Sequence, residues 1–138
     1  MIVKSVILAC DPDRAFTLFT EQAGLWWPAA RRHSNDANST IRMEAAGRFY
    51  ERSRDGTEVE LGVVRQFEPA RRLLLDWYPG TGPDFPTRVE ITFEALDGGT
   101  KVTVRHDRGA ADPAVFGGNA SAYERSWSLV LAAVAAYD

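Results

Sequence analysis

Residues 87–107 read TRVEITFEALDGGTKVTVRHD, and this stretch decides the fold class. Val89, Ile91 and Phe93 alternate with Glu90, Thr92 and Glu94. Beyond the Asp97-Gly98-Gly99 turn, Val102 and Val104 alternate with Lys101, Thr103 and Arg105. Successive side chains of a strand point to opposite faces, so each run has one dry face and one wet face, and the glycine turn joins them as an antiparallel hairpin. The dry face needs a cover. Residues 120–137, ASAYERSWSLVLAAVAAY, contain no Pro or Gly and place Tyr123, Trp127, Val130, Leu131 and Val134 at helical spacing. That wide apolar stripe is the cover.

Four further strands precede the hairpin, over about 40–46, 48–54, 57–67 and 72–78. Turn chemistry at Ala46-Gly47, Asp55-Gly56, Glu68-Pro69 and Pro79-Gly80 through Pro86 separates them. The hairpin strands span 87–96 and 99–107, and Met1 to Ala9 reads as a strand of its own. Asp11 caps a short helix with Pro12 at its first position and Ala15, Phe16, Leu18 and Phe19 as its stripe. A second short helix covers Glu21 to Trp27 and stops at Pro28. Residues 29–40 read as loop, as does the glycine-rich stretch from Arg108 to Gly118. The expectation is a single α+β domain over 1–138. A curved antiparallel sheet of about seven strands grips a long C-terminal helix, with two short helices after strand one.

A net charge of −3 gives no global attraction to nucleic acid or anionic lipid. One cysteine, Cys10, cannot form an internal disulfide and fits a reducing compartment. Only five residues separate Lys4 from Cys10, too few for the roughly 7–15 apolar residues of an export signal. The longest apolar run, Leu129 to Tyr137, is nine residues against the roughly 20 of a membrane span. These features point to a cytoplasmic protein with no membrane span and no nucleic-acid partner. The acceptor triplets at Asn38 and Asn119 then mean only polar loop.

The order of elements is joined by short motifs: Ala15-Phe16-Thr17-Leu18-Phe19-Thr20, Trp26-Trp27-Pro28, Gly47-Arg48-Phe49-Tyr50-Glu51, Gly62-Val63-Val64 and Leu75-Asp76-Trp77. With Gly99 to Val104, His106 and the Tyr123 to Trp127 helix, the chain resembles the START-like helix-grip (SRPBCC) superfamily. It is similar to the branch of the C-terminal domain of the Hsp90 ATPase activator. The resemblance spans nearly the whole chain, without the activator's additional N-terminal domain. It implies an elongated cavity between the long helix and the sheet, of the kind that holds lipids, hormones or polyketides. Some members cyclise or hydrolyse what they hold, and many only bind it. The leading expectation is therefore a binding protein for a small, largely apolar molecule. The alternatives are a cyclase-like or hydrolase-like enzyme and a chaperone-interacting module, with room for a homodimer.

Trp26 and Trp27 are adjacent, so on a helix they point about 100° apart: one can enter the core while the other lines a cavity. Trp77 adds to the aromatic supply from the sheet side, and Tyr123 and Trp127 project from the helix. Met43, Phe49 and His33 complete the candidate lining; His33 follows Arg31-Arg32 in a polar loop, as either a solvated basic patch or an anion clamp. His106 continues the dry face of Val102 and Val104, either as a satisfied buried histidine or as an acid–base group facing a ligand. Glu51 shares parity with Phe49. A carboxylate on that face must be paired, bonded or held for a ligand, which makes Glu51 and His106 the catalytic candidates. Asp76, opposite in parity to Leu75 and Trp77, reads as solvated. Two histidines and one cysteine make no metal motif, and no cofactor is implied. No Gly-x-Ser-x-Gly elbow, phosphate cradle or interleaved basic and aromatic face is present.

Overall fold

The computed structural model describes residues 1–138. Strand β1 (Ile2–Leu8) leads into helices α1 (Pro12–Phe19) and α2 (Ala23–Trp26), and then a single 3-10 turn over Ala29–Arg31. Six strands follow: β2 (Thr40–Met43), β3 (Arg48–Arg52), β4 (Glu58–Glu68), β5 (Arg72–Trp77), β6 (Thr87–Leu96) and β7 (Gly99–Asp107). Helix α3 (Pro113–Tyr137) closes the chain. All strand pairs are antiparallel, in the order β1-β7-β6-β5-β4-β3-β2.

The hairpin has the bounds its alternation predicts. Val89 stands opposite His106, Ile91 opposite Val104 and Phe93 opposite Val102, all buried, so two dry stripes form one apolar floor. The pairing register shifts between Phe49 and Tyr50 and again between Val64 and Gln66. An extra residue bends a strand and increases its twist, which curls this end of the sheet. The sheet edges do not stay bare: α3 lies against β1, α2 against β2, and the two helices touch.

Two expectations are corrected. Helix α3 begins at Pro113, so the stretch expected as loop up to Gly118 is largely helix. Asp112 accepts from the Ala114 and Val115 amides at 2.9 and 3.2 Å, with Pro113 in the first turn. Asp11 starts α1 in the same way, accepting from the Arg14 amide at 2.9 Å. Gly117 and Gly118 lie within α3 at exposed positions where an added Cβ would meet nothing within 4 Å. The cap, together with Phe116 packed on His106 and Tyr123, offsets a propensity cost of about 1 kcal/mol per glycine. The second correction is Asp76, which is only 8% exposed. Its parity is as expected, on the outer face of the sheet. There Arg65 pairs with it, Nε donating to the carboxylate at 2.8 Å, and Arg88 stands 3.9 Å from its other oxygen.

Candidate functional site

Gly62 is the register partner of both Phe49 on β3 and Trp77 on β5. A Cβ there would sit 2.2 Å from the Asp76 carbonyl oxygen and 3.0 Å from the Phe49 ring, so only glycine fits. Across that bare strand the Phe49 and Trp77 rings stack, with centroids 4.9 Å apart and 28° between planes. Trp77 then meets Trp127 of α3 at 5.0 Å, and Trp27 approaches both at 6.3 and 6.4 Å. These separations are those of attractive aromatic pairs.

The aromatic group borders a cleft of about 300 Å³ between α3 and the sheet. Its floor is apolar and buried, from Ile41, Phe49, Leu61, Trp77, Trp127 and Val130. Its mouth is made by the exposed residues Ala30, Arg31, His33, Pro79 and Gly80. Tyr123 and Ser126 line it from α3, and no carboxylate does. The volume lies at the small end of ordinary ligand pockets, which run from roughly 300 to 1,000 Å³.

Of the candidate residues, Trp27, His33, Phe49, Trp77, Tyr123 and Trp127 line this cleft. Trp26, Met43, Glu51 and His106 do not; each stands next to a residue that does. Trp26 packs on Trp27 with ring centroids 5.3 Å apart, and its indole N–H donates to the Leu18 carbonyl at 2.8 Å. Met43 is the register partner of Phe49. The adjacent tryptophans divide, one inward and one to the cleft, but not by helical spacing: the expected helix over Glu21 to Trp27 spans only Ala23–Trp26, and Trp27 is already extended ahead of Pro28.

His106 is fully buried, and its protonation pattern follows from its partners. Trp127 Nε1–H can only donate, and it reaches Nδ1 at 3.0 Å, so Nδ1 carries no proton. Nε2–H then donates to Thr87 Oγ1 at 2.8 Å, and the Thr87 hydroxyl donates to the Trp77 carbonyl at 3.0 Å. Burial pushes the His106 pKa down to about 4, with Asp107 opposing weakly. Both nitrogens are engaged, so the ring orients Trp127 and anchors the end of β5.

Glu51 is 2% exposed and accepts from the His33 amide at 2.7 Å, the Ser34 amide at 3.2 Å and the Ser34 hydroxyl. Burial works to raise its pKa. The hydroxyls of Ser34 and Ser39 and the two amides more than offset this and hold the carboxyl below its ordinary value. Arg32, also buried, donates to the carbonyls of Gly24, Trp27 and Ser39 at 2.6, 2.8 and 2.8 Å. Together Arg32 and Glu51 pin the segment that carries Arg31 and His33. Arg32 is thus a bolt for the cleft wall, and only its neighbours reach the mouth.

The indole N–H groups of Trp27 and Trp77 find no acceptor in the protein. Arg42 Nε is the one side-chain N or O atom that is both sealed and unpartnered, so these two indoles reach accessible space. Ile41, Leu61, Ser126 and Val130 also line the cleft and are not among the lining residues expected from sequence, where Val130 reads only as part of the helix stripe. Ser126 and Val130 were within reach, since they continue the helical spacing of Tyr123 and Trp127; Ile41 and Leu61 depend on where strands meet.

The remaining chemistry is sparse. Burial and the nearby Asp138 carboxylate push the Cys10 thiol up to about 11, which keeps it protonated at neutral pH. No group of three potential metal-ligating side chains occurs. No helix is long and apolar enough to cross a membrane.

Among solved structures, the chain is similar to the self-sacrificing resistance protein CalC from Micromonospora echinospora. Identity is 23%, with 96% of this chain and 89% of that one covered and a TM-score of 0.72. It is similar to the Aha1 dimer from Colwellia psychrerythraea at 14% identity, with 97% and 92% covered and a TM-score of 0.66. It is also similar to Txn09, an anthrahydroquino-gamma-pyrone synthase solved in complex with SUM, at 23% identity, 97% and 86% covered and a TM-score of 0.57. At these identities the likeness is one of fold. No curated protein matches the sequence. The family model described as Activator of Hsp90 ATPase homolog 1-like protein matches residues 9–137. With its helix-grip architecture and a match over nearly its full length, the chain belongs to the Activator of Hsp90 ATPase homolog 1-like family.

Proposed function

We propose that this protein binds a small, largely apolar molecule in the cleft between α3 and the sheet. The observation that carries this reading is the cleft's lining. Five aromatic rings border about 300 Å³, and two of their indole N–H groups have no protein acceptor. An apolar ligand with a hydrogen-bond acceptor would gain both surface burial and those two donors. The resistance and synthase activities in the names of CalC and Txn09 fit small-molecule handling on this fold.

The catalytic alternative with His106 and Glu51 receives less support. Both groups are saturated by internal hydrogen bonds and neither borders the cleft. A chaperone-docking role would need a contiguous apolar patch. The large exposed apolar side chains are spread over Met1, β1 (Val3, Ile7), α2 (Leu25), the loop after β5 (Phe85), β6 (Leu96) and α3 (Val115, Leu129, Tyr137), and nothing marks one of these as a docking patch.

The test is titration with the neutral fluorophore N-phenylnaphthylamine. The expected result is a saturable isotherm near one site per chain, weakened by Trp77→Leu or Phe49→Leu in variants that still melt cooperatively. Weak, non-saturating uptake that appears only as the protein unfolds would mean the gap is packed shut.

A further inference from the structure

The mouth of the cleft carries an unbalanced charge. Arg48, Arg52, Arg54, Arg65, Arg72 and Arg88 each lie within salt-bridge distance of a carboxylate. Arg31, at the mouth, forms no such bridge, and no carboxylate lines the cleft. Arg32 and Glu51 beneath it cancel one another and are spent on loop hydrogen bonds. Arg31 also borders a shallow groove outside the cleft where Lys4 and Arg125 face a single acid, Glu124. The protein as a whole is acidic, with a net charge of −3, yet the charged side chains that line the cleft are arginines alone. The other polar groups around the cleft point the same way. Indole N–H groups only donate, while Tyr123, Ser126 and His33 add groups able to donate, and carboxylate acceptors are absent.

We infer that the ligand class is a planar aromatic acid, with its rings among Trp27, Phe49, Trp77 and Trp127 and its anionic group at the mouth beside Arg31. This rests on the apolar-cleft reading and deepens it. The aromatic floor favours a flat π-system, since rings gain beyond area burial when stacked or edge-on. A carboxylate, sulfonate or phenolate at the mouth would receive a guanidinium with no internal competitor, and charge-assisted bonds are the stronger kind. A cation there would face Arg31 unshielded.

Two probes that share one ring skeleton separate charge from shape: anilinonaphthalene sulfonate and the neutral N-phenylnaphthylamine. Affinities are read by energy transfer from the tryptophans. The expected result is a preference of about five- to tenfold for the sulfonate, falling toward parity in Arg31→Met and largely retained in Arg31→Lys. Lys4→Gln with Arg125→Gln lowers the preference less, because those residues lie outside the cleft. Arg31 is exposed, so the variants keep the wild-type thermal midpoint. Equal affinities in the wild type, or a preference that survives Arg31→Met, would overturn the assignment of an acid while leaving the apolar cleft standing. Saturable binding of neither probe would overturn both.

Discussion

His106 joins helix to sheet through Trp127 on one side and Thr87 on the other, and it does so only as a neutral ring. Folded, it resists protonation down to about pH 4; in the unfolded chain an ordinary histidine protonates near 6.5. Between those values the unfolded state binds more protons, so unfolding free energy rises with pH. The contribution of neutral His106 is complete above about pH 6.5 and is lost as pH falls toward 4. Urea unfolding should show a loss of about 2–3 kcal/mol between pH 7 and 4.5 from this group. In His106→Gln, stability at pH 7 should drop and the pH 6 to 4.5 slope should flatten; an unchanged slope would contradict the bonding pattern. Glu51 acts in the same direction lower down, since a depressed carboxyl loses its contribution as pH falls through its folded pKa. At Gly62, alanine would push Cβ against the Asp76 carbonyl oxygen at 2.2 Å. Gly62→Ala should cost about 1–3 kcal/mol and also weaken probe binding, because the Phe49–Trp77 stack must part. A thermal midpoint equal to the wild type would show that the strand approach is not tight.

Elements with strong periodicity were legible, and those whose identity depends on competing local signals were less so. Strands β6 and β7 have the predicted spans, because alternation and a glycine turn agree. Helix α3 is longer than its glycine-free stretch. The Asp112-Pro113 pair that starts it is the same signal as Asp11-Pro12, but Gly117-Gly118 outweighed it when read as loop. These glycines supply a test at this scale. Gly117→Ala and Gly118→Ala should each raise stability by about 0.5–1 kcal/mol, read as a shift in urea midpoint at constant slope, since a methyl group meets no neighbour. A loss of stability in both variants would mean that the first turns of α3 are not helical in solution. The site was partly legible for the same kind of reason. Trp77, Tyr123 and Trp127 follow from strand parity and helix spacing, whereas Trp27 reaches the cleft from extended backbone just past the end of α2. The joint work of Arg32 and Glu51 does not, because it depends on a strand and a loop meeting across 18 or so residues of chain.

At the scale of the whole molecule, the curled sheet, the helix across it and the pinned loop leave an aromatic-floored space open at one end. We propose that this space takes an apolar ligand rather than being closed core. The four indole N–H groups report on it site by site. Trp26 is bonded to Leu18 and Trp127 to His106, whereas Trp27 and Trp77 line the cleft and their indole N–H groups have no protein acceptor. The direct measurement is the nitrogen-15 NMR spectrum of the indole groups during titration with N-phenylnaphthylamine. With a ligand in the cleft, the Trp27 and Trp77 resonances should move together and saturate near one equivalent while the Trp26 resonance stays in place. Four resonances that remain still, or that drift together without saturation, would contradict it.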